Sequence, residues 1–477
     1  MKVCAVIAEY NPFHNGHAWQ IRRARELLGA DYVLAVMSGD FVQRGAPAIM
    51  EKHERAAMAL RGGVDLVLEL PVFAATGSAE VFALGAVSLL DALGVVDFLC
   101  FGTESLSDGI AAGKFSGKSY AGILSGSSAE GALSDEPCGG QLADAGLLRA
   151  EIVRILLDEP GVYRETIRDL QKEGKSFAAA REEAVVRSLG GQGSFFSEEM
   201  VRGMLSLPNN ILALEYQKAL LRLGSSIKPV AIPRRGGGYH DPFRPGGQEL
   251  LGTESPAVFA SASAIRSELA VMAGSDSAQD WGKAGCVRDT GGYTVFDALP
   301  LYCAESVRAQ LGNNGLVFED VLDPLLGYRL FMESEESVMR YADVSADLGR
   351  RIIRERNHCR GFLSYAQHLK TRNLAMTRIQ RALLHILLNI EDAAGMAVPY
   401  ARILGFRKDS SALLKKIQEN SSIPLLTKAA YGPRLLSEEA LPVLESSVFA
   451  SNVYGMLLSR QCGQPFLHEY QKKVVLF

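Results

Sequence analysis

The chain has 477 residues, 48% hydrophobic and 22% charged, with a net charge of −4, the composition of an ordinary folded globular protein. A chain of this length outgrows a single core and predicts two or three domains. Its seven cysteines (4, 100, 138, 286, 303, 359 and 462) include no CxxC pair, and no histidine stands at zinc-partner spacing, so buried thiols in a reducing, cytoplasmic compartment fit better than a disulfide framework or a zinc knuckle.

The first residues, MKVCAVIAEY, lack the basic segment, long apolar core and cleavage site of a signal peptide and read as a strand. No apolar run reaches the roughly 18 to 20 residues of a membrane span, so no membrane association is expected. Short apolar runs recur at Val3–Ala8, Tyr32–Met37, Val64–Leu70 and Val96–Phe101, with helical patterns at 17–28, 51–61 and 79–93 between them. Such alternation predicts a parallel sheet covered on both faces, and the right-handed crossover rule makes it a doubly wound α/β fold. Lys228–Ile232 adds a fifth strand.

Residues 106–146, rich in Gly, Ser and Ala, read as a flexible insertion. Helical patterns fill 148–222. The stretch RRGGGYHDPFRPGGQ then reads as an active-site loop, and SASAIRSELAVM starts a helix near Ser263. After residue 290 the pattern is mostly helical. In TRIQRALLHILLNI, residues Ile379, Leu383, Ile386, Leu387 and Ile390 share one side, while Arg378, Arg381 and His385 fall opposite. From Arg350 to Lys416 there are 14 Lys and Arg against four acids, about +10, which leaves about −14 elsewhere. A basic region on an acidic chain predicts a polyanionic partner. The division expected is 1–290, an α/β nucleotide-binding domain, and 291–477, a basic helical domain.

The sharpest local signal is EYNPFHNGH, at residues 9 to 17 between the first strand and the first helix. Ligands bind at the carboxyl ends of parallel strands, where helix N-termini offer free amides to phosphates. There, His14 and His17 of the His-x-Gly-His can donate hydrogen bonds to phosphate oxygens and stabilise charge developing at the α-phosphorus, while Gly16 admits the nucleotide. In SASAIR, Ser261 and Ser263 at a helix start with Arg266 form a clamp for the β- and γ-phosphates. The catalytic set expected is His14, His17 and Arg266, in a Rossmann-like nucleotidyltransferase domain.

The series VIAEYNPFHNGH, MSGDFVQRGAPA, GVDLVLELP, FGTES, PNNILALEY and RRGGGYHD resembles the bacterial tRNA(Met) cytidine acetate ligase family, in order and along most of the chain. The resemblance implies that ATP and acetate give acetyl-adenylate, whose acetyl group passes to N4 of the wobble cytidine of elongator tRNA(Met), forming N4-acetylcytidine. It implies an ATP site of Ile7, Ala8, Glu9, Tyr10, Asn11, Pro12, Phe13, His14, Asn15, Gly16, His17, Ala18, Trp19 and Gln20, with Gly102, Asn209 or Asn210, and Arg234. Ser38, Gly39 and Arg44 follow the second strand and are candidates for an acetate pocket. Lys52, His53 and Arg55 read as surface residues. Lys370, Arg372, Arg378 and Arg381 are the candidate tRNA contacts, although the chain reads Arg372-Asn-Leu-Ala where relatives tend to read Lys-Arg-Tyr-Thr. Magnesium is expected to accompany ATP, held by the triphosphate, with no protein metal site and no stable protein partner. The competing readings are a small-molecule adenylyltransferase acting on a phosphorylated coenzyme precursor and a non-catalytic RNA-binding protein.

Overall fold

The computed structural model describes residues 1–104, 139–190, 196–234, 246–250, 256–274, 293–393 and 395–477. Most of the insertion and of the glycine-rich loop after Arg234 lies outside them. The end of the predicted insertion does not: a helix runs Gly139–Asp158.

The five predicted strands form: β1 (Val3–Ala8), β2 (Tyr32–Ser38), β3 (Leu66–Leu70), β4 (Phe98–Thr103) and β5 (Lys228–Pro233). They pair in parallel in the order β3-β2-β1-β4-β5, a doubly wound arrangement that turns its direction of growth at β1. The central strands are apolar on both faces because helices cover both, and Leu34, Val36, Leu66 and Leu68 are buried. Those helices are α1 (Asn15–Leu28), α2 (Lys52–Arg61), α3 (Ala79–Ala92), α4 (Pro208–Leu223) and α5 (Ala262–Ala273). Between α3 and α4, helices at Gly139–Asp158, Gly161–Lys172, Phe177–Leu189 and Glu198–Ser206 gather around a small core of their own, with Leu148, Ile152 and Met204 at its centre.

The C-terminal segment departs from the expected separate helical domain. After α6 (Met376–Leu388), strand β6 (Ala401–Phe406) pairs antiparallel with β3, and β7 (Leu425–Leu426) and β8 (Val475–Leu476) pair with β6, making eight strands in one sheet. One apolar core runs from Leu34 and Leu68 to Ile379, Leu383 and Ile403, so residue 290 does not separate two cores. Arg402 and Gly405 interrupt the apolar run ARILGF and hide this strand from a periodicity reading; in the sheet Arg402 sits opposite Glu69, which neutralises it. Helix α7 (Leu441–Cys462) is long and apolar enough to cross a membrane by length and composition. It is nonetheless placed as a core helix: Leu444, Val448 and Leu457 are buried, Ser447 Oγ accepts the Val72 N–H at 3.1 Å, and the Tyr454 hydroxyl donates to the Ala48 carbonyl at 2.8 Å.

Candidate active site

The loop between β1 and α1 is built around its two histidines. His14 is the N-cap of α1: its Nδ1 accepts the Gly16 N–H at 3.1 Å, while His17 Nδ1 accepts the His14 N–H at 3.2 Å. With both Nδ1 atoms used as acceptors, the proton of each neutral ring resides on Nε2, which leaves two Nε2–H donors for a ligand. The rings stack with centroids 3.7 Å apart and planes at 21°. A Cβ at Gly16 would stand 2.9 Å from His14 Cε1, so glycine alone fits beneath that ring.

The electrostatics keep both imidazoles uncharged. Burial pushes His14 well below the usual histidine range, reinforced by His17, Arg234 and Arg266; burial and the nearby Arg234 bring His17 to about 3. Arg234 and Arg266 thus act on the pair through their charges. Arg266 donates to the Asn11 carbonyl at 2.7 Å and to Ser263 Oγ at 3.4 Å, which ties α5 to the histidine loop. Ser261 is the N-cap of that helix and accepts the Ala264 N–H at 3.2 Å. Two neutral donors flanked by two fixed cations, at the carboxyl end of β1, make an anion site suited to a triphosphate and to charge accumulating on an α-phosphoryl group.

Other predicted residues hold the loop in shape. Tyr10, with φ at 46°, packs its ring edge on His17 at 4.9 Å, and Phe13 is fully buried beside it. Asn11 Oδ1 accepts the Ile49 N–H, and the Asn15 amide donates to the Val258 and Asp297 carbonyls, so both asparagines are structural. Glu9 accepts the Gln43 N–H at 3.0 Å. Pro12 is buried; Ile7, Ala8, Ala18, Trp19 and Gln20 are half-buried on β1 and α1.

Asn209 and Asn210 meet Glu104, which the sequence reading passed over. Asn209 Nδ2 donates to the Glu104 carboxylate at 2.6 Å, the Asn210 side chain accepts the Glu104 N–H at 3.0 Å, and the same carboxylate lies 3.7 Å from Arg234. Gly102 faces the Arg234 side chain. Glu104 thus aims Arg234, and its position in FGTES, at the end of β4, is the signal that could have found it.

Two residues read as surface groups are among the most deeply buried. Arg55 donates to the carbonyls of Glu9 (2.5 Å), Ser38 (3.2 Å), Gly39 and Met50 (2.9 Å), clamping the ends of β1 and β2 together. Lys52 meets Glu69 at 2.7 Å, Glu469 at 2.9 Å and Asp40 at 3.7 Å. Of the candidate acetate residues, Ser38 is fully buried and Gly39 packs on the Glu69 carboxylate. Arg44, in contrast, lines a cleft of about 90 Å³ together with Asn11, Arg266, Glu319, Thr377 and Gln380.

The basic stripe of α6 is also reassigned. Arg381 makes a two-pronged pair with Asp343 at 2.8 and 2.9 Å, Arg378 lies 4.0 Å from the same carboxylate, and His385 is fully buried between the Ala342 and Thr76 carbonyls. The polar side of the helix is covered at Arg381 and His385, while the Arg378 side chain stays 42% exposed. Lys370 and Arg372 are exposed. Apart from the cleft, Glu355, His358 and His368 bring potential metal-ligand atoms within 4.8 Å of one another; Glu355 ends one helix, His358 lies three residues on in a short 3-10 turn and His368 comes from the next helix, and Glu355 is already shared with Arg354.

The sequence matches the HIGH Nucleotidyl Transferase family over residues 1–112 and 143–467. It is 32% identical over 468 residues to the tRNA(Met) cytidine acetate ligase of Halothermothrix orenii (96% of this chain, 95% of the relative) and 34% identical over 462 residues to that of Clostridium kluyveri (96% and 95%). The chain belongs to the tRNA(Met) cytidine acetate ligase family. Its fold matches the crystal structure of Thermotoga maritima TmcAL bound with alpha-thio ATP, at 27% identity and a TM-score of 0.78, with both chains covered in full.

Proposed function

We propose that this chain activates acetate with ATP and transfers the acetyl group to N4 of the wobble cytidine of elongator tRNA(Met). The observation that carries the reading is the stacked, uncharged pair of His14 and His17, with both Nε2–H donors available and Arg234 and Arg266 beside them. An acetate oxygen attacks the α-phosphorus, pyrophosphate leaves with the bonding pair, and acetyl-adenylate remains. The imidazoles donate to the α-phosphoryl oxygens as negative charge grows there, and the guanidiniums hold the departing phosphates. Arg44, on the cleft, supplies the counter-charge for acetate. Family membership and full-length similarity to proteins of that name support the same reading.

The carboxylates near the loop do not suit a resident magnesium, because Glu9 is engaged by the Gln43 N–H and Glu104 by Asn209. A magnesium ion would arrive on the triphosphate oxygens. Buried free thiols at Cys4, Cys100 and Cys303 accord with a reducing, cytoplasmic setting.

Labelled pyrophosphate should exchange into ATP only when acetate is present. Adduct formation with a phosphorylated coenzyme precursor, without acetate-dependent exchange, would instead establish the small-molecule adenylyltransferase.

For RNA, the exposed cations Arg350, Arg354, Arg360, Lys370 and Arg372, together with the part-exposed Arg378, form the phosphate-facing set, while Arg381 is held by Asp343. Substituting Lys370 and Arg372 with Ala should weaken tRNA binding and shallow its salt dependence by about two counterions, since each neutralised phosphate contributes a slope of about 0.9. ATP affinity should stay within twofold. A salt slope identical to that of the parent would remove this surface from the reading.

A further inference from the structure

We infer that the cleft between the Arg44 turn and α6 seats the acceptor base, and that Glu319 receives the proton lost by its attacking amine. The inference rests on the acetyl-transfer reading and gives that reaction its second binding site. The cleft has two sources of polar groups. Asn11, Arg44 and Arg266 come from the nucleotide-binding elements, and Asn11 belongs to the histidine loop itself. Glu319, Thr377 and Gln380 come from the C-terminal half.

The two halves are held together tightly. Gly45, with φ at 76°, lies against the backbone of α6, where a Cβ would stand 2.4 Å from Arg381 N. The Val317 N–H donates to the Ile49 carbonyl at 2.9 Å and pins the segment before Glu319 to the chain just after the Arg44 turn. Arg381 is engaged by Asp343, so α6 offers Thr377 and Gln380, not its arginines, to the cleft.

These groups match a cytosine in particular. Its N4 amine donates, its N3 and O2 accept, and its ring has two flat apolar faces. A carboxylate accepts from N4, and an amide donates to N3 or O2. Val42, Pro47 and Phe318 supply the apolar wall. Uracil would aim its O4 acceptor at the Glu319 carboxylate, an unpaired contact that a buried polar site rejects strongly. Glu319 is 7% exposed, so water competes little for it.

In the transfer step the N4 lone pair forms a bond to the acetyl carbonyl carbon. The bond from that carbon to the adenylate oxygen breaks, and its electron pair leaves on AMP. The N4 proton passes to the Glu319 carboxylate.

The test separates the two half-reactions. In Glu319→Gln and Gln380→Ala proteins, acetyl transfer to tRNA(Met) should fall at least a hundredfold, and acetate-dependent pyrophosphate exchange no more than a fewfold. Parallel losses in both half-reactions, or unimpaired transfer, would overturn the assignment. Absence of exchange in the parent protein would instead overturn the functional reading beneath it. A second measurement uses the parent protein and so does not depend on a variant folding. Irradiation of its complex with tRNA(Met) carrying 5-iodocytidine at the wobble position should crosslink a peptide containing Phe318 or the first turn of α6. Crosslinks confined to other segments would place the base elsewhere.

Discussion

Replacing His17 with alanine should lower acetate-dependent pyrophosphate exchange by about a hundred- to a thousandfold, the usual loss when one preorganised donor to a developing oxyanion is removed. The variant also deletes the acceptor for the His14 N–H, and a lost cap destabilises by about 1 kcal/mol. His17→Asn separates the two effects, since its side-chain oxygen can accept that N–H while the ring donor is gone. Recovered melting temperature without recovered exchange is the expected pattern; undiminished exchange in His17→Ala would eliminate the ring as a phosphate donor. The acid response follows from the same geometry. Both imidazoles have folded-state pKa values below the ordinary 6.5, His17 at about 3, so below pH 6.5 the unfolded chain binds protons that the folded chain refuses. Their contribution to stability is present above pH 6.5 and drains away as the pH falls toward the folded values. Melting temperature should therefore drop less steeply below pH 6.5 in His17→Asn than in the parent.

The histidine site was legible in the sequence because its signals are local. An apolar run, a His-x-Gly-His and the start of a helix occupy 15 consecutive residues, and the capping bonds between His14, Gly16 and His17 span three positions. The five parallel strands were legible for a similar reason: a strand buried on both faces is a short apolar run, whatever its neighbours are. Lys52 and Arg55 were not legible. A charged residue at a helix start is ordinarily solvated; Lys52 is buried by partners such as Glu469 and Ser451, about 400 residues away, and Arg55 by the carbonyls of Glu9, Ser38, Gly39 and Met50, which come together only once β1 and β2 have paired. The error at α6 has a related cause. Helical periodicity separates an apolar stripe from its opposite side but cannot say whether that side is covered. Asp343 and the Thr76 carbonyl cover it, and His385 and Arg381 become part of the interior framework. Strand β6 was hidden because its arginine finds a carboxylate only after β3 and β6 have paired.

That pairing leads to the second large effect, a loss of stability in Arg402→Met. Arg402 donates to Glu69 at 2.7 Å and to Glu469, and Lys52 contacts the same two carboxylates. Burial alone would raise the Glu469 carboxyl; the charges of Lys52 and Arg402 outweigh it and hold that carboxyl well below the usual range. Its stabilising contribution is accordingly present above the ordinary carboxylate range and is lost as acid protonates the folded form. Without Arg402, Glu69 keeps Lys52 and Glu469 keeps Lys52 and the more distant Lys472 at 3.7 Å, so the buried carboxylates are left short of a cation, and breaking a buried pair from one side costs about 3–5 kcal/mol. Since whole proteins are stable by only about 5–15 kcal/mol, the urea midpoint should fall by a large fraction of its value. Adding Glu469→Gln to Arg402→Met removes the surplus negative charge and should recover part of the loss; a double variant no more stable than Arg402→Met would mean that the strand pairing, and not the charge balance, carries the effect. The network also reaches the nucleotide end of the sheet, because Asp40 accepts the Lys52 N–H at 2.8 Å and its carbonyl accepts the Ala48 N–H at 2.8 Å, bracketing the turn that carries Arg44. Loosening it from the C-terminal side should therefore raise the KM for acetate in whatever fraction stays folded, which is how a strand from the last 80 residues comes to shape the Arg44 side of the cleft.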